Sequence, residues 1–358
     1  MLNLKINFTK VLYIFFIFLS LNLFFFSTDK AIGKVFEIED IEISKSFEIN
    51  FNKNDVIDQG FRQAFSELIF LILNSSDRKK LEKPKLNELK EMVESFSIRQ
   101  EKFIDEIYYV NLGVKFNKKK VLNYLEIKNI FPSIPIQKKI LFYPIIIDEN
   151  TKDLYLFSNN NFFLEWNLNK ESYHLLEYIL PTEDLEDLNL IKIKYENIEK
   201  YDFKEITEKY NLEDSIVALI FKNQNDIRIL SRITIKDNVV LKNQTFPKID
   251  LKKENQIGFV IDELKLIYED FWKKNNQINT SIKLPINIRI NTNDNNKISK
   301  FEKTLQELDL IYDFFIKKFD KDYIYYQIIF NSTPNNFLKT MGNYDFDFDT
   351  QNKIWLLK

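Results

Sequence analysis

The chain has 358 residues, with 51 Lys and Arg against 53 Asp and Glu and a formal net charge of −2. One histidine, no cysteine and 5 glycines exclude thiolate metal sites, iron–sulfur clusters, disulfides, cysteine nucleophiles and multi-histidine zinc centres. The scattered glycines form no phosphate-cradling loop, and the balanced charge provides no global field toward nucleic acid.

Residues 1–10 carry Lys5 and Lys10 and no acid, and an apolar run follows from Val11 to Ser27. A basic segment ahead of such a run is the pattern of an export signal, and its length is also the lower edge of a membrane-spanning helix. Cleavage after Ala31 would place Asp29 where a small residue is preferred, so residues 1–31 are read either as a cleaved signal peptide or as a retained anchor. In the second case, residues 11–27 would be the membrane contact. Either way the expected location is the periplasm or cell envelope.

Taken in order, residues 36–147 read as β-α-β-β-α-β with one extra helix, the split βαβ or ferredoxin-like order. Phe36–Phe47 is a strand. Asn54 can cap a helix over Asp55–Leu73, with Ile57, Phe61, Ala64, Phe65, Leu68 and Ile72 on one face. A short helix through Leu86, Leu89, Met92, Val93 and Phe96 follows. Ile107–Phe116 alternates as a half-buried antiparallel strand, with Ser97–Phe103 as its hairpin partner. Lys118–Lys128 is a helix. Ile140–Ile147, apolar on both faces, is a central strand in which Pro144 suggests a bulge.

Residues 148–275 read as a mixed α/β middle domain. Phe162–Trp166 and Leu185–Tyr210 are expected helices and His174–Leu180 a strand. Ser215–Lys222, Asp226–Ile235 and Val239–Phe246 form a β-meander, and the long amphipathic helix Gln256–Lys274 can cover the sheet. Lys273–Asn279 reads as a linker. Residues 283–358 repeat the first order: strand Lys283–Asn291, a helix through Ile298, Phe301, Leu305 and Leu308, and a hairpin of Tyr312–Phe319 with Tyr323–Phe330. A helix capped by Thr333 at Pro334 and one or two strands in Tyr344–Leu357 complete it. The fold class is therefore α+β, with ferredoxin-like modules at both ends of a mixed α/β domain.

Several clusters invite a chemical reading. Glu183, Asp184, Glu186 and Asp187 have the spacing of an acid–base or cation site, but the simpler reading is Thr182 as an N-cap with acids in a first helical turn. Asn291, Asn293 and Asn295 with Glu302 fall on calcium-loop spacing without its charge or its glycine. Asp345, Asp347 and Asp349 alternate with Phe346 and Phe348 as a solvated edge would. His174 lies among apolar residues, and Trp166, Trp272 and Trp355 read as packing residues. Arg78-Lys79-Lys80 and Lys118-Lys119-Lys120 lack the interleaved aromatics of a base-stacking surface. No catalytic, cofactor-binding or metal-ligating residue is assigned.

Segment order resembles that of the exported proteobacterial family catalogued as domain of unknown function 2066. The resemblance is carried by Gly60-Phe61-Arg62-Gln63-Ala64-Phe65, Val93-Glu94-Ser95-Phe96-Ser97-Ile98, Tyr109, Leu112, Val114, Phe116, Val121, Leu125 and the Leu141–Ile147 strand. Trp166, Pro181-Thr182-Glu183-Asp184-Leu185-Glu186-Asp187 and Trp355-Leu356 extend it. Phe162 stands where that pattern would place another tryptophan. The resemblance implies a cell-envelope location and no known catalytic residue. The expectation is an exported envelope protein that binds other envelope proteins through exposed sheet edges, without cofactor or nucleic acid. The alternative is a metal-dependent or acid–base hydrolase using Glu183–Asp187.

Overall fold

Alternation in the first antiparallel strands dictates a sheet with one apolar face, and the computed structural model, which describes residues 36–168, 174–223, 226–236 and 238–358, contains it. Strands β1 (Glu37–Ser46), β2 (Val93–Ile104) and β3 (Ile107–Phe116) pair antiparallel in the order β1-β3-β2. Register places Ile41 opposite Leu112 and Ile43 opposite Val110. Helix α1 (Lys53–Ile72) lies on that face, with Asn52 as its N-cap, two residues earlier than Asn54. Val56, Ala64 and Leu68 share a core with Ile41, Ile43, Leu112 and Val114. Helices α2 (Ser75–Lys80), α3 (Leu86–Met92) and α4 (Lys118–Ile127) complete the module. The short helix stops at Met92; Val93 and Phe96 belong to β2 instead.

Strand β4 (Lys138–Asp148) corrects the expected boundary. Residues 36–147 do not form one module, because β4 pairs in parallel with β7 (Ser215–Asn223) and β6 (Leu176–Ile179), and antiparallel with β5 (Leu154–Tyr155). Its physical reason is burial: every residue from Ile140 to Asp148 is buried, which requires cover on both faces. The middle sheet supplies it. Beyond β7 come β8 (Asp226–Ile235) and β9 (Asn238–Phe246), the expected meander; its turns at 223–225 and 236–238 lie partly outside the described residues. Helix α8 (Glu254–Asn275) and α5 (Asn161–Glu165) cover one face with Val260, Leu264, Tyr268, Phe162 and Trp166. Helices α6 (Leu185–Ile193) and α7 (Lys204–Thr207), separated by a 3₁₀ turn where one continuous helix was expected, cover the other with Ile191, Ile198 and Ile206.

Pro144 makes no bulge: pairing with β7 runs unbroken from Leu141 to Asp148. On its other side β6 pairs only as far as Leu141 and β5 only from Ile146. Pro144 falls in that gap, where no partner needs its missing N–H, and Asn160 Nδ2 donates to its carbonyl at 3.0 Å.

The last module contains β10 (Leu284–Asn291), α9 (Asn295–Glu307), β11 (Ile311–Phe319), β12 (Tyr323–Phe330), α10 (Pro334–Gly342), β13 (Phe348–Asp349) and β14 (Trp355–Leu357), in the sheet order β11-β12-β10-β14-β13. Both terminal sheets thus place their first three strands as first–third–second, an arrangement compatible with the split βαβ pattern. They differ in the fourth place. After α4 the chain leaves for the middle sheet, whereas after α10 it forms a small hairpin whose inner strand β14 runs parallel to β10.

The modules are stitched together. Ser133 donates through both its amide and its hydroxyl to Ile72 O at the end of α1. Residues 273–279 do not form a free linker: Ile134 N donates to Asn276 O and Ile278 N to Pro132 O, both at 2.9 Å, and Trp272 Nε1 donates to Ile136 O at 2.7 Å. Lys118 at the start of α4 donates to Leu308 O at 2.8 Å, and the ammonium groups of Lys119 and Lys283 lie 5.5 and 4.7 Å from the Tyr312 ring.

Candidate interaction surface

Strand β2 is an edge strand, and after Val93 every one of its residues is exposed. Cross-strand register explains its side chains. Phe96, Ile98 and Phe103 lie opposite Val114, Leu112 and Tyr108, on the face that α1 covers, but beyond the helix flank. They remain 46%, 39% and 57% exposed. Phe96 meets the Phe61 ring edge-on at 5.2 Å and Phe103 meets Phe47 at 4.9 Å. Phe47 extends the apolar row, whereas Ile104, opposite Ile107, falls on the other face. On the opposite face Ser95, Ser97, Gln100 and Lys102 pair with Lys115, Gly113, Asn111 and Tyr109, so that side is polar as far as Ile104.

Charges along β2 are locally neutralised. Arg99 pairs with Glu39 at 2.5 Å and Glu94 with Lys115 at 2.6 Å. Glu101 accepts from Lys53 and from Tyr108 Oη, both at 2.8 Å. The Lys53 hydrogen bond holds the Glu101 carboxyl below its ordinary pKa and raises that of the lysine. Register shifts between Val93 and Ser95 and between Ile98 and Gln100 bend the edge, as natural edges are bent to discourage indiscriminate pairing. Two regular stretches remain, Ser95–Ile98 and Gln100–Ile104. An extended segment added there would gain main-chain hydrogen bonds and the apolar row. The other outer strands carry smaller versions, with Phe315, Ile316 and Phe319 exposed on β11 and Val239 and Leu241 on β9.

The Glu183–Asp187 cluster has a structural occupation. Asp184, rather than Thr182, caps α6 by accepting from Glu186 N at 2.8 Å, and Glu183 accepts from Ser158 N. Asp187 is completely buried. Its Oδ1 accepts from Lys209 Nζ at 2.6 Å and its Oδ2 from Tyr143 Oη at 3.2 Å. Lys209 also holds Asp184 at 2.9 Å. Burial, reinforced by the charge of Asp187, pushes the Tyr143 phenol well above its ordinary pKa, keeping it a neutral donor. With both oxygens of Asp187 engaged inside the fold, the cluster leaves no carboxylate pair converging on an open site. The cation came from a lysine 22 residues further along the chain, which is why adjacent sequence did not reveal it.

Other sequence-selected residues disperse. Asn291 and Asp294 serve their own turn and helix cap, while Glu302 accepts from Tyr326 Oη at 2.6 Å. Asp345 faces Lys300 and Asp347 faces Lys358, with Phe346 and Phe348 buried beneath. His174 lies 3.7 Å from Glu269, whose Oε1 accepts from the amides of Leu175 and Leu176. Trp166 stacks on Phe142 at 3.6 Å. Among the described residues, no group of three or more acidic or histidine side chains could hold a metal ion, and no helix is long and apolar enough to cross a membrane; the apolar run at 11–27 lies outside them.

Sequence reasoning placed Ser97–Phe103 in a hairpin but did not single out Phe96, Ile98 and Phe103 as a surface. Their alternation was the available signal, obscured because Val93 and Phe96 also fit the period of the preceding helix. Compared with family models and with curated proteins, the chain matches none.

Proposed function

We propose that this is an exported cell-envelope protein that acts by binding another protein, taking an extended segment of its partner along β2. The observation that carries the reading is a 12-residue edge strand exposed after its first residue, with Phe96, Ile98 and Phe103 in a row beside α1. Obligate strand edges are normally short, covered or heavily charged, and apolar side chains left at such an edge mark interaction sites. The basic and apolar N-terminal pattern at Lys5, Lys10 and Val11–Ser27 supports export, as does the resemblance in segment order to the envelope family.

A photocrosslinking amino acid at Phe96, which is 46% exposed in the row, read in intact cells, tests the surface. A discrete crosslinked species is expected, and Ile98→Asp with Phe103→Asp should abolish it while circular dichroism stays unchanged. Labelling no greater than from the same probe at Asp347, together with a silent export reporter fused after residue 60, would sink both halves of the proposal.

A further inference from the structure

A cleft of about 280 Å³ opens between α1, α2 and α3, and no residue of β2 lines it. Its floor is apolar: Phe65 and Ile69 from α1, Pro84 from the loop after α2, and Leu89 from α3 are buried, with Phe70 and Leu81 as half-buried walls. Its rim is cationic. Arg62 and Lys83 are exposed at the mouth, and Arg78 lays its guanidinium over the Phe70 ring at 4.1 Å. None of the three forms an ion pair among the described residues. Glu82, the single acid on the rim, lies 4.0 Å from Lys128.

Asp270 and Glu269 act on the Arg78 charge through space, but neither forms an ion pair with it, and Glu269 Oε2 lies 3.7 Å from Lys273. Asp270 accepts from the amide and hydroxyl of Ser75, and Glu269 from Leu175 and Leu176. An arginine stacked on an aromatic face keeps its edge N–H groups free in a plane that matches a carboxylate or phosphate. The apolar floor needs a hydrocarbon occupant, and the cationic rim needs an anionic one. A volume near the low end of ligand clefts, about 300–1,000 Å³, admits a single short chain.

We propose that this cleft binds a single-chain amphiphile with an anionic head, the chain lying on Phe65, Ile69, Pro84 and Leu89 and the head held by Arg78 with Arg62 and Lys83. A fatty carboxylate and a phosphate-headed lipid share that chemistry, and the test separates them. The full chain is titrated calorimetrically with decanoate, decyl phosphate and decyltrimethylammonium, which share one chain length. Saturable one-to-one binding is expected for at least one anion, with the tighter anion identifying the head, and none for the cation. Arg78→Gln should weaken the anion about tenfold or more, the loss of one charge-assisted pair, and Arg62→Gln with Lys83→Gln should weaken it without touching the floor. Ser66→Phe, which fills the mouth from an exposed position on α1, should abolish binding with the net charge unchanged. Absence of saturable binding by either anion, equal binding of the cation, or full affinity in Ser66→Phe would each overturn the proposal.

Discussion

At Gly60 a single hydrogen sets how closely α1 can lie on its sheet. A Cβ there would fall inside contact distance of Leu112 Cδ1, itself completely buried. Alanine is worth about 1 kcal/mol over glycine in a helix, but overpacking a closed core costs about 1–3 kcal/mol. Gly60→Ala is therefore expected to destabilise, read as a lower urea midpoint, and trimming Leu112→Val in the same chain should recover part of the loss. Lys273 is a second single-residue case. Only 1% of its side chain is exposed; it donates to Phe70 O at 2.6 Å, and burial lowers its pKa to about 8 despite Glu269 at 3.7 Å. In the unfolded chain a lysine titrates near 10.4. Between those values the unfolded state binds the extra proton, so stability rises with pH across about 8 to 10, by up to about 1.4 kcal/mol per unit for one group. Lys118, lowered to about 8 by burial beside Asp309, acts in the same direction. Urea titrations across that window should show the rise, and Lys273→Met should flatten it; an unchanged slope would remove Lys273 as its source.

Among elements, α6 shows how far local sequence reaches. A helix start near 182–187 was legible from its polar cluster, with Thr182 as the expected cap, but packing decides which side chain takes that place. Lys209 draws Asp184 and Asp187 together, so Asp184 occupies the cap. Asp184→Ala is expected to cost about 1 kcal/mol, whereas Thr182→Ala should stay within about 0.5 kcal/mol, both read from thermal melts. The terminal hairpins were more legible because alternation and a turn are local: Ile311–Phe319 and Tyr323–Phe330 lie within one residue of the expected strands. At β2 the helical and strand periods overlap over Val93–Phe96, and the choice belongs to β3, which pairs along the whole strand.

For the whole molecule, the α+β class and the element order were readable, and the membership of β4 was not. An apolar run announces a central strand without naming its sheet, and its partner β7 lies far along the sequence. The same limit hid the junctions, since Lys273–Asn279 is polar enough to resemble a linker yet is tied by backbone bonds to 132–134. Because Ser133, Lys273 and Trp272 join the first module to the middle one, the two should unfold together. Scanning calorimetry is expected to give one transition covering both. Ser133→Ala with Gln277→Ala, which removes the Gln277 side-chain bond to Phe131 O, should begin to split it; two well-separated transitions in the unaltered protein would show the ties to be weak.

The parallel pairing of β4 with β7 also imposes an order in time. Hairpins such as β2–β3 and β11–β12 close short loops, while the middle sheet has to join strands separated by β5, β6 and three helices. High contact order slows folding because loop-closure entropy is lost before the contacts repay it. During refolding, therefore, the two terminal sheets would be assembled while the segment between them is still searching, and their bare edges would face crowded surroundings longest. Stopped-flow refolding of a Trp355→Phe chain, followed through its remaining tryptophans Trp166 and Trp272, which both lie in the middle core, should lag behind backbone circular dichroism. The aggregation losses of a refolding experiment should fall when β2 is capped by Ile98→Lys.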